Sequence, residues 1–310
     1  MSSSVKLFAG IGSDALAQKI AKHYGQDLGK STSRKFSDGE LYYSFDESIR
    51  GCDVFLIQST NGPSDNIIEL LLMIDAAKRA SAKTINLVVP YYGYARQDRK
   101  DKPRVSIAAK LMANLVQAAG ATRLMTCDLH ADQIQGFFDI PVDHLIAGMI
   151  FVPYINNLNL DNLIFAAPDV GSTKRVREFA KFFKADMVVC DKHRKRANEV
   201  ASMQVIGDVT DKNVILVDDI IDTAGTLTKA ANLLKEKGAK SVRAFCTHPI
   251  LSGSAYENVD NSSLEELVVT DSIPLKGSSD KIHVASMAPL FADAIKRIHG
   301  HESISKLFEQ

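Results

Sequence analysis

Short apolar runs alternate with longer amphipathic stretches along the whole chain. Nine runs are rich in β-branched and other apolar residues and too short for helices: VKLFAG (5–10), DVFLIQS (53–59), TINLVVPY (84–91), RLMTCD (123–128), LIFAAPD (163–169), DMVVCD (186–191), NVILVDD (213–219), VRAFCTH (242–248) and LVVTDSI (267–273). Near-continuous apolarity, rather than strict alternation, marks strands buried on both faces, as in parallel sheets covered by helices. Between two of these runs, IIELLLMIDAAKR (67–79) carries a broad apolar face and ends on Lys78 and Arg79, the pattern of a crossover helix. The predicted class is α/β: two similar domains, each a mainly parallel sheet flanked by helices.

The two-domain expectation comes from a weak internal repeat. Residues 54–89, VFLIQSTNGPSDNIIELLLMIDAAKRASAKTINLVV, echo residues 214–246, VILVDDIIDTAGTLTKAANLLKEKGAKSVRAFC: strand, polar turn, helix, small-residue exit, strand. The asparagine-rich stretch between 148 and 162 predicts the boundary, giving domains 1–148 and 149–310. The copies differ where it matters for chemistry, since Gln58 and Ser59 stand where the second has Asp218 and Asp219. The second half is therefore expected to hold the chemistry, and the first to serve another purpose.

At 310 residues and 45% hydrophobic, the chain can bury two cores, and its 37 basic residues balance 37 acidic ones. That balance argues against a dedicated nucleic-acid binder, whose domain is usually basic. Four widely spaced cysteines (Cys52, Cys127, Cys190, Cys246) suggest neither a metal clip nor a disulfide framework, and predict a reducing, cytoplasmic setting. MSSSVKLFAG has no signal-peptide pattern, and no apolar run reaches the ~18 residues that cross a bilayer, so no membrane association is expected.

LVDDIIDTAGT (216–226) is the most informative stretch. A turn after a parallel strand lies at the carboxyl edge of the sheet, where α/β proteins bind ligands, and the following helix begins with unpaired N–H groups and a positive dipole end. Thr223, Ala224, Gly225 and Thr226 are small enough for backbone to close on a phosphate, while Asp218 and Asp219 can accept hydrogen bonds from vicinal hydroxyls. The pattern reads as a ribose 5-phosphate pocket, and no Gly-Lys-Ser/Thr follows to make a P-loop. Alone, the paired acids also fit solvated turn residues, with Asp222 capping a helix. GIGSDA (10–15) mimics a dinucleotide fingerprint but lacks the acid at the end of a second strand, and CDLH (127–130) has no second Cys/His pair for zinc.

With that loop, FSDGE (36–40), RGCDVFLIQST (50–60), PYYGYARQDRK (90–100), DLHADQIQGFF (128–138) and DKHRKRANEV (191–200) occur in order. In these motifs the chain resembles the ribose-phosphate pyrophosphokinases, or phosphoribosyl pyrophosphate synthetases, a family of the phosphoribosyltransferase fold. The resemblance implies Mg²⁺-dependent transfer of a diphosphoryl group from ATP to the 1-hydroxyl of ribose 5-phosphate, giving 5-phosphoribosyl 1-diphosphate and AMP for nucleotide biosynthesis. It implies ATP binding by Phe36, Asp38, Gly39, Glu40, Arg96, Gln97 and Arg99, with Lys100 beside them. It implies ribose 5-phosphate binding by Arg194, Asp218, Asp219, Asp222, Thr223, Ala224, Gly225 and Thr226. Mg²⁺ contacts fall on His130 and Asp169, and catalytic charge neutralisation on Lys192 and Arg194 of a basic flap expected after the strand at 186–191. Without the resemblance, FSDGE reads as an ordinary turn beside an exposed acid, the ARQD and DKHRKR charges as solvated loops, and His130 as a structural hydrogen-bonder.

A base-using phosphoribosyltransferase would share the sugar loop, but FSDGE, ARQD and the second domain speak against it. A silent regulatory subunit would show damage in the flap or loop, and none is seen. The resemblance further implies a homo-oligomer, commonly a hexamer built from dimers, with anion contacts at Ser48, Arg50, Ser81 and Arg104.

Overall fold

The computed structural model describes residues 4–193 and 202–305. All nine expected strands are present, and the chain divides into two compact units, Met1–Ala147 with Ser272–Pro274 and Ser286–Gln310, and Gly148–Asp271 with Leu275–Ala285.

The first unit opens with β1 (Val5–Ala9), α1 (Asp14–Tyr24), β2 (Ser31–Lys35) and β3 (Leu41–Phe45). It continues through β4 (Asp53–Ile57), α2 (Asp65–Arg79), β5 (Thr84–Val89), α3 (Ala108–Ala119), β6 (Arg123–Cys127) and β7 (Val142–Leu145). Five strands form one parallel sheet in the order β1-β4-β5-β6-β7, while β2 and β3 make a separate antiparallel hairpin. The order follows the chain without reversal, so this sheet has no point at which neighbouring strands diverge to open a crevice. Leu56, Leu70, Met73, Ile74, Leu87 and Leu124 are buried in its core, as the apolar runs require.

The second unit begins with α4 (Gly148–Asn157), a helix within the stretch expected to hold the boundary. There follow β8 (Leu163–Ala167), α5 (Thr173–Phe183), β9 (Asp186–His193), β10 (Ser202–Ile206) and β11 (Asn213–Ile221). Then come α6 (Gly225–Glu236), β12 (Ser241–Pro249), α7 (Ala255–Asp260), β13 (Glu266–Thr270) and β14 (Ile282–Ala285). The sheet runs β10-β9-β8-β11-β12-β13-β14, parallel except for the β9–β10 ribbon. From β8 the chain moves to β9 on one side, whereas β11 lies on the other side and leads on to β12. The carboxyl ends of β8 and β11 are thus neighbours at a topological switch point, the place where open α/β sheets bind ligands.

The last helix departs from a single division of the chain. α8 (Ala288–His299) packs on α1 in the first unit, and Lys296 Nζ donates to the His23 carbonyl at 2.9 Å. Its buried Leu290, Phe291 and Ile295 supply the reason, since burying each such side chain is worth about 1.5–3 kcal/mol.

Candidate active site

The repeat noted in the sequence lands on β4-α2-β5 and β11-α6-β12, and the two copies use their strand ends differently. In the first unit Gln58 and Ser59 are fully buried. Gln58 Nε2 donates to Glu69 Oε2 at 2.6 Å. Ser59 Oγ accepts from the Tyr91 N–H at 3.0 Å and donates to the Ser272 carbonyl at 2.6 Å. These groups are consumed by structure. The GIG turn is consumed as well, because a Cβ on Gly10 would stand 2.4 Å from the Gln58 side chain and one on Gly12 2.8 Å from Asn66. Side chains fill the space that a dinucleotide's pyrophosphate would need.

In the second unit the equivalent strand end carries acids instead. Pairing of β11 with β8 ends at Leu216–Ala166, but pairing with β12 continues to Ile221–Pro249. β11 therefore runs on past β8 and carries Asp218 and Asp219 beside the turn that follows β8. Both acids lie within the strand, which is longer than the apolar run alone suggested. Asp218 is half-buried, Asp219 is buried, and the Asp219 N–H donates to Asp218 Oδ1 at 2.9 Å. Burial first, then the charges of Asp219 and Asp169, hold the Asp218 carboxyl well above the usual range. Burial first, then the charges of Asp218 and Asp219, push the buried Cys246 thiol up. Arg175 on α5 places Nη2 3.9 Å from Asp219 Oδ1. Sequence reasoning missed Arg175, since one arginine among Lys174 and Arg177 carries no distinguishing signal.

The loop after β11 is braced from below. Asp222 Oδ1 accepts from Ser252 Oγ, the Ser252 N–H donates to the Asp222 carbonyl at 3.0 Å, and Asn258 Nδ2 donates to the Thr223 carbonyl at 2.8 Å. Asp222 is thus a loop brace as well as a candidate ligand. Ala224 holds a left-handed backbone (φ 62°) and leads into α6 at Gly225, so the N–H groups of the helix's first turn, Thr226 among them, lack intrahelical acceptors. A fixed αL residue at a helix start sets backbone donors around a small concavity suited to an anion.

Asp169 sits in the turn after β8, where Oδ1 accepts the Ser172 N–H at 3.1 Å. A Cβ at Gly171 would approach that oxygen to 3.1 Å, so the glycine leaves the carboxylate its place. Among the described residues no group of three or more His, Cys, Asp and Glu side chains forms a metal cage.

Lys192 and His193 do not follow the strand. β9 extends through them, with Lys192 paired to Met203 and His193 to Ser202 of β10, because an antiparallel partner supplies backbone hydrogen bonds to the polar end. Arg194, Lys195 and Arg196 lie outside the described residues.

In the first unit FSDGE forms the loop of the β2–β3 hairpin. Phe36 is 45% exposed, its ring meets Tyr42 edge-on at 5.8 Å, and the Arg34 guanidinium lies 5.4 Å from one ring and 4.8 Å from the other. Gly39 takes φ 95°, and Asp38 Oδ1 accepts the Glu40 N–H at 3.1 Å, so one Asp38 oxygen shapes the turn. Arg96, Gln97 and Arg99 are exposed in the loop after β5. Gly93 begins that loop where a Cβ would stand 2.1 Å from the Thr60 carbonyl oxygen. Arg50 Nη1 donates to Ser81 Oγ at 3.1 Å, which brings two of the expected anion contacts together.

His130 is exposed just after β6. The carboxylate beside it in sequence is otherwise engaged: Asp128 Oδ1 accepts the Ala147 N–H at 3.3 Å. The residue that shapes this segment is His144 on β7, which sequence reasoning did not single out because VDHL is too short to register as a strand.

Comparison with known proteins gives the chain's family. A family model described as the N-terminal domain of ribose phosphate pyrophosphokinase matches residues 5–120, and one described as the phosphoribosyl synthetase-associated domain matches residues 189–309. The chain is 57% identical over 303 residues to a ribose-phosphate pyrophosphokinase of Porphyromonas gingivalis, covering 97% of each chain. It is 54% identical to that of Wolinella succinogenes, covering 98% of each. The crystal structure of phosphoribosylpyrophosphate synthetase from Mycobacterium smegmatis superposes with a TM-score of 0.91 at 39% identity, covering 96% of this chain and 100% of that one. Over its full length and in both of its units, the chain belongs to the ribose-phosphate pyrophosphokinase family of enzymes.

Proposed function

We propose that this enzyme transfers the diphosphoryl group of ATP to the 1-hydroxyl of ribose 5-phosphate, with Mg²⁺, releasing AMP. The sugar oxygen bonds to the β-phosphorus, the bridging oxygen between the α and β phosphorus atoms leaves with AMP, and the hydroxyl proton passes to solvent. The observation that carries the reading is the switch-point crevice, where Asp218 and Asp219 on an overrunning strand adjoin the donor-rich turn at 222–226. Those carboxylates accept from the sugar hydroxyls, and the N–H groups of residues 223–226 hold the 5-phosphate.

The donor set suits magnesium, which prefers oxygen and completes its octahedron with phosphate and water rather than an all-protein cage. Asp218, Asp219 and Asp169 lie close enough for their charges, second to burial, to raise the Asp218 carboxyl, and a cation would relieve that concentration of negative charge. Asp169 would be the oxygen ligand offered by the second unit and His130 a metal–nucleotide contact offered by the first; a bound ion would neutralise charge on the phosphate oxygens.

ATP is placed by the first unit. The exposed face of Phe36 stacks on adenine, Asp38 and Glu40 accept from its amine, and Arg96, Gln97 and Arg99 meet the triphosphate. Lys192 and Arg194 stabilise charge that spreads over the transferring group, since this chemistry depends on alignment and neutralisation more than on a general base. The working form is a cytoplasmic homo-oligomer, a hexamer by family likeness, supplying nucleotide biosynthesis. No described helix is long and apolar enough to cross a membrane. Incubation with MgATP and ribose 5-phosphate, with nucleotides separated chromatographically, tests the reading: AMP should accumulate in step with sugar product, and accumulation of ADP would contradict it.

A further inference from the structure

The segment that carries His130 is held by β7. Residue 128 takes a left-handed backbone (φ 40°), unfavourable for an aspartate, directly after β6. Three hydrogen bonds from the neighbouring strand and its continuation keep it there. The Asp128 N–H donates to the Leu145 carbonyl at 3.0 Å, the Ala147 N–H donates to Asp128 Oδ1 at 3.3 Å, and the Leu129 N–H donates to His144 Nε2 at 2.9 Å. The third bond differs from the others because its acceptor is a side chain of β7, where the first uses a backbone carbonyl and the second the segment's own Asp128. Leu129 is 2% exposed and packed in the core, so its N–H has little access to water as a substitute. The imidazole is itself set by its surroundings: Thr126 opposite it in register on β6, Gln135 Nε2 at 3.3 Å and Asp132 Oδ1 at 4.0 Å from Nδ1. With Nε2 accepting, a neutral ring carries its hydrogen on Nδ1, on the side of the Asp132 carboxylate, and the Gln135 amide nitrogen, itself a donor, packs beside it without bonding it.

We infer that His144 is a positioning residue for the nucleotide half of the reaction: by accepting the Leu129 N–H it fixes the backbone that presents His130. This rests on the reading of His130 as a contact to the metal–nucleotide. His144 touches no substrate in this account and acts only through the peptide between residues 129 and 130. A histidine used merely to fill space would be replaceable by any ring of similar size.

Three variants and two readouts test it. His144→Phe keeps the ring but loses the acceptor, His144→Asn is too short to reach, and His144→Gln places an amide oxygen near the position of Nε2. Hydrogen exchange of the Leu129 amide is read without any ligand. Kinetics are read for ATP and ribose 5-phosphate separately, with wild-type product formation first establishing the reaction itself. Exchange at Leu129 should accelerate at least tenfold in His144→Phe and His144→Asn. In both, KM for MgATP should rise about tenfold while KM for ribose 5-phosphate stays within twofold, and His144→Gln should recover most of both effects. Unchanged exchange, unchanged KM for MgATP, or equal losses for both substrates with no recovery in His144→Gln would overturn the inference. Should His144→Phe fail to fold, the Asn and Gln pair decides the question alone.

Discussion

The Asp219 N–H donates to Asp218 Oδ1 at 2.9 Å, tying two consecutive acids of one strand together at the switch point of the sheet. This bond favours ionised Asp218, but burial and the charges of Asp219 and Asp169 outweigh it and raise the carboxyl well above 3.8. A raised acid destabilises the folded state once pH exceeds the unfolded value, because the unfolded chain ionises freely and the folded one does not. Asp218→Asn, which keeps the acceptor and removes the charge, should therefore be more stable than the parent at pH 7, by on the order of 1 kcal/mol or about 2–4 °C in Tm. The gain should shrink as pH falls through the folded-state value toward 3.8. Thermal unfolding across pH 4.5–8 checks this, and a variant destabilised at pH 7 would contradict it.

Sugar binding should be the property most sensitive to these acids. Asp218→Ala and Asp219→Ala should each weaken ribose 5-phosphate by about tenfold to a hundredfold, matching the ~1.5–3 kcal/mol of a lost charge-assisted hydrogen bond, with much smaller effects on ATP. Titration calorimetry with each substrate separates the two. Unaltered sugar affinity in both variants would move the sugar elsewhere.

Gly93→Ala should be costly for a steric reason alone, since the added Cβ would stand 2.1 Å from the Thr60 carbonyl oxygen and backbone must shift. Overpacking of this kind typically costs about 1–3 kcal/mol. Urea denaturation should show that loss, and KM for ATP should rise because residues 96–99 follow directly in the displaced loop. Stability equal to that of the parent would show that the loop accommodates the methyl.

Lys192→Ala and Arg194→Ala should lower kcat by about a thousandfold or more with little change in either KM, if both cations act chiefly on transition-state charge. Lys195→Ala and Arg196→Ala should be milder. Steady-state kinetics on the four single variants distinguish this from a general polyanion patch, which would lose affinity in similar small steps at every position.

Much of this was legible in the chain because burial on both faces leaves an apolar run that periodicity detects. The elements that escaped are those without such a run. STSRK forms β2 although it is polar, because it needs only the partner strand Leu41–Phe45 and a turn closed by Gly39. VDHL and IHVA are short edge strands of a parallel sheet, and α8 could not be assigned to the first unit because its partner helix lies more than 260 residues away in sequence. For the site, the acids and small residues of the loop at 218–226 were readable because few other roles require them together. The overrun of β11 past β8 was not, since it depends on strand register. Nor was the employment of Asp222, Asp38 and Asp128 as braces, because an acid that accepts a backbone N–H looks in sequence like one that awaits a ligand.

The most direct measurement follows phosphorus atoms. ATP labelled at the β position, and separately at the γ position, is incubated with ribose 5-phosphate and Mg²⁺, and the label in the sugar product is counted. Diphosphoryl transfer predicts that both labels reach the sugar in equal yield, with unlabelled AMP released in the same amount. Transfer of the γ label alone, with the β label left in ADP, would contradict the account.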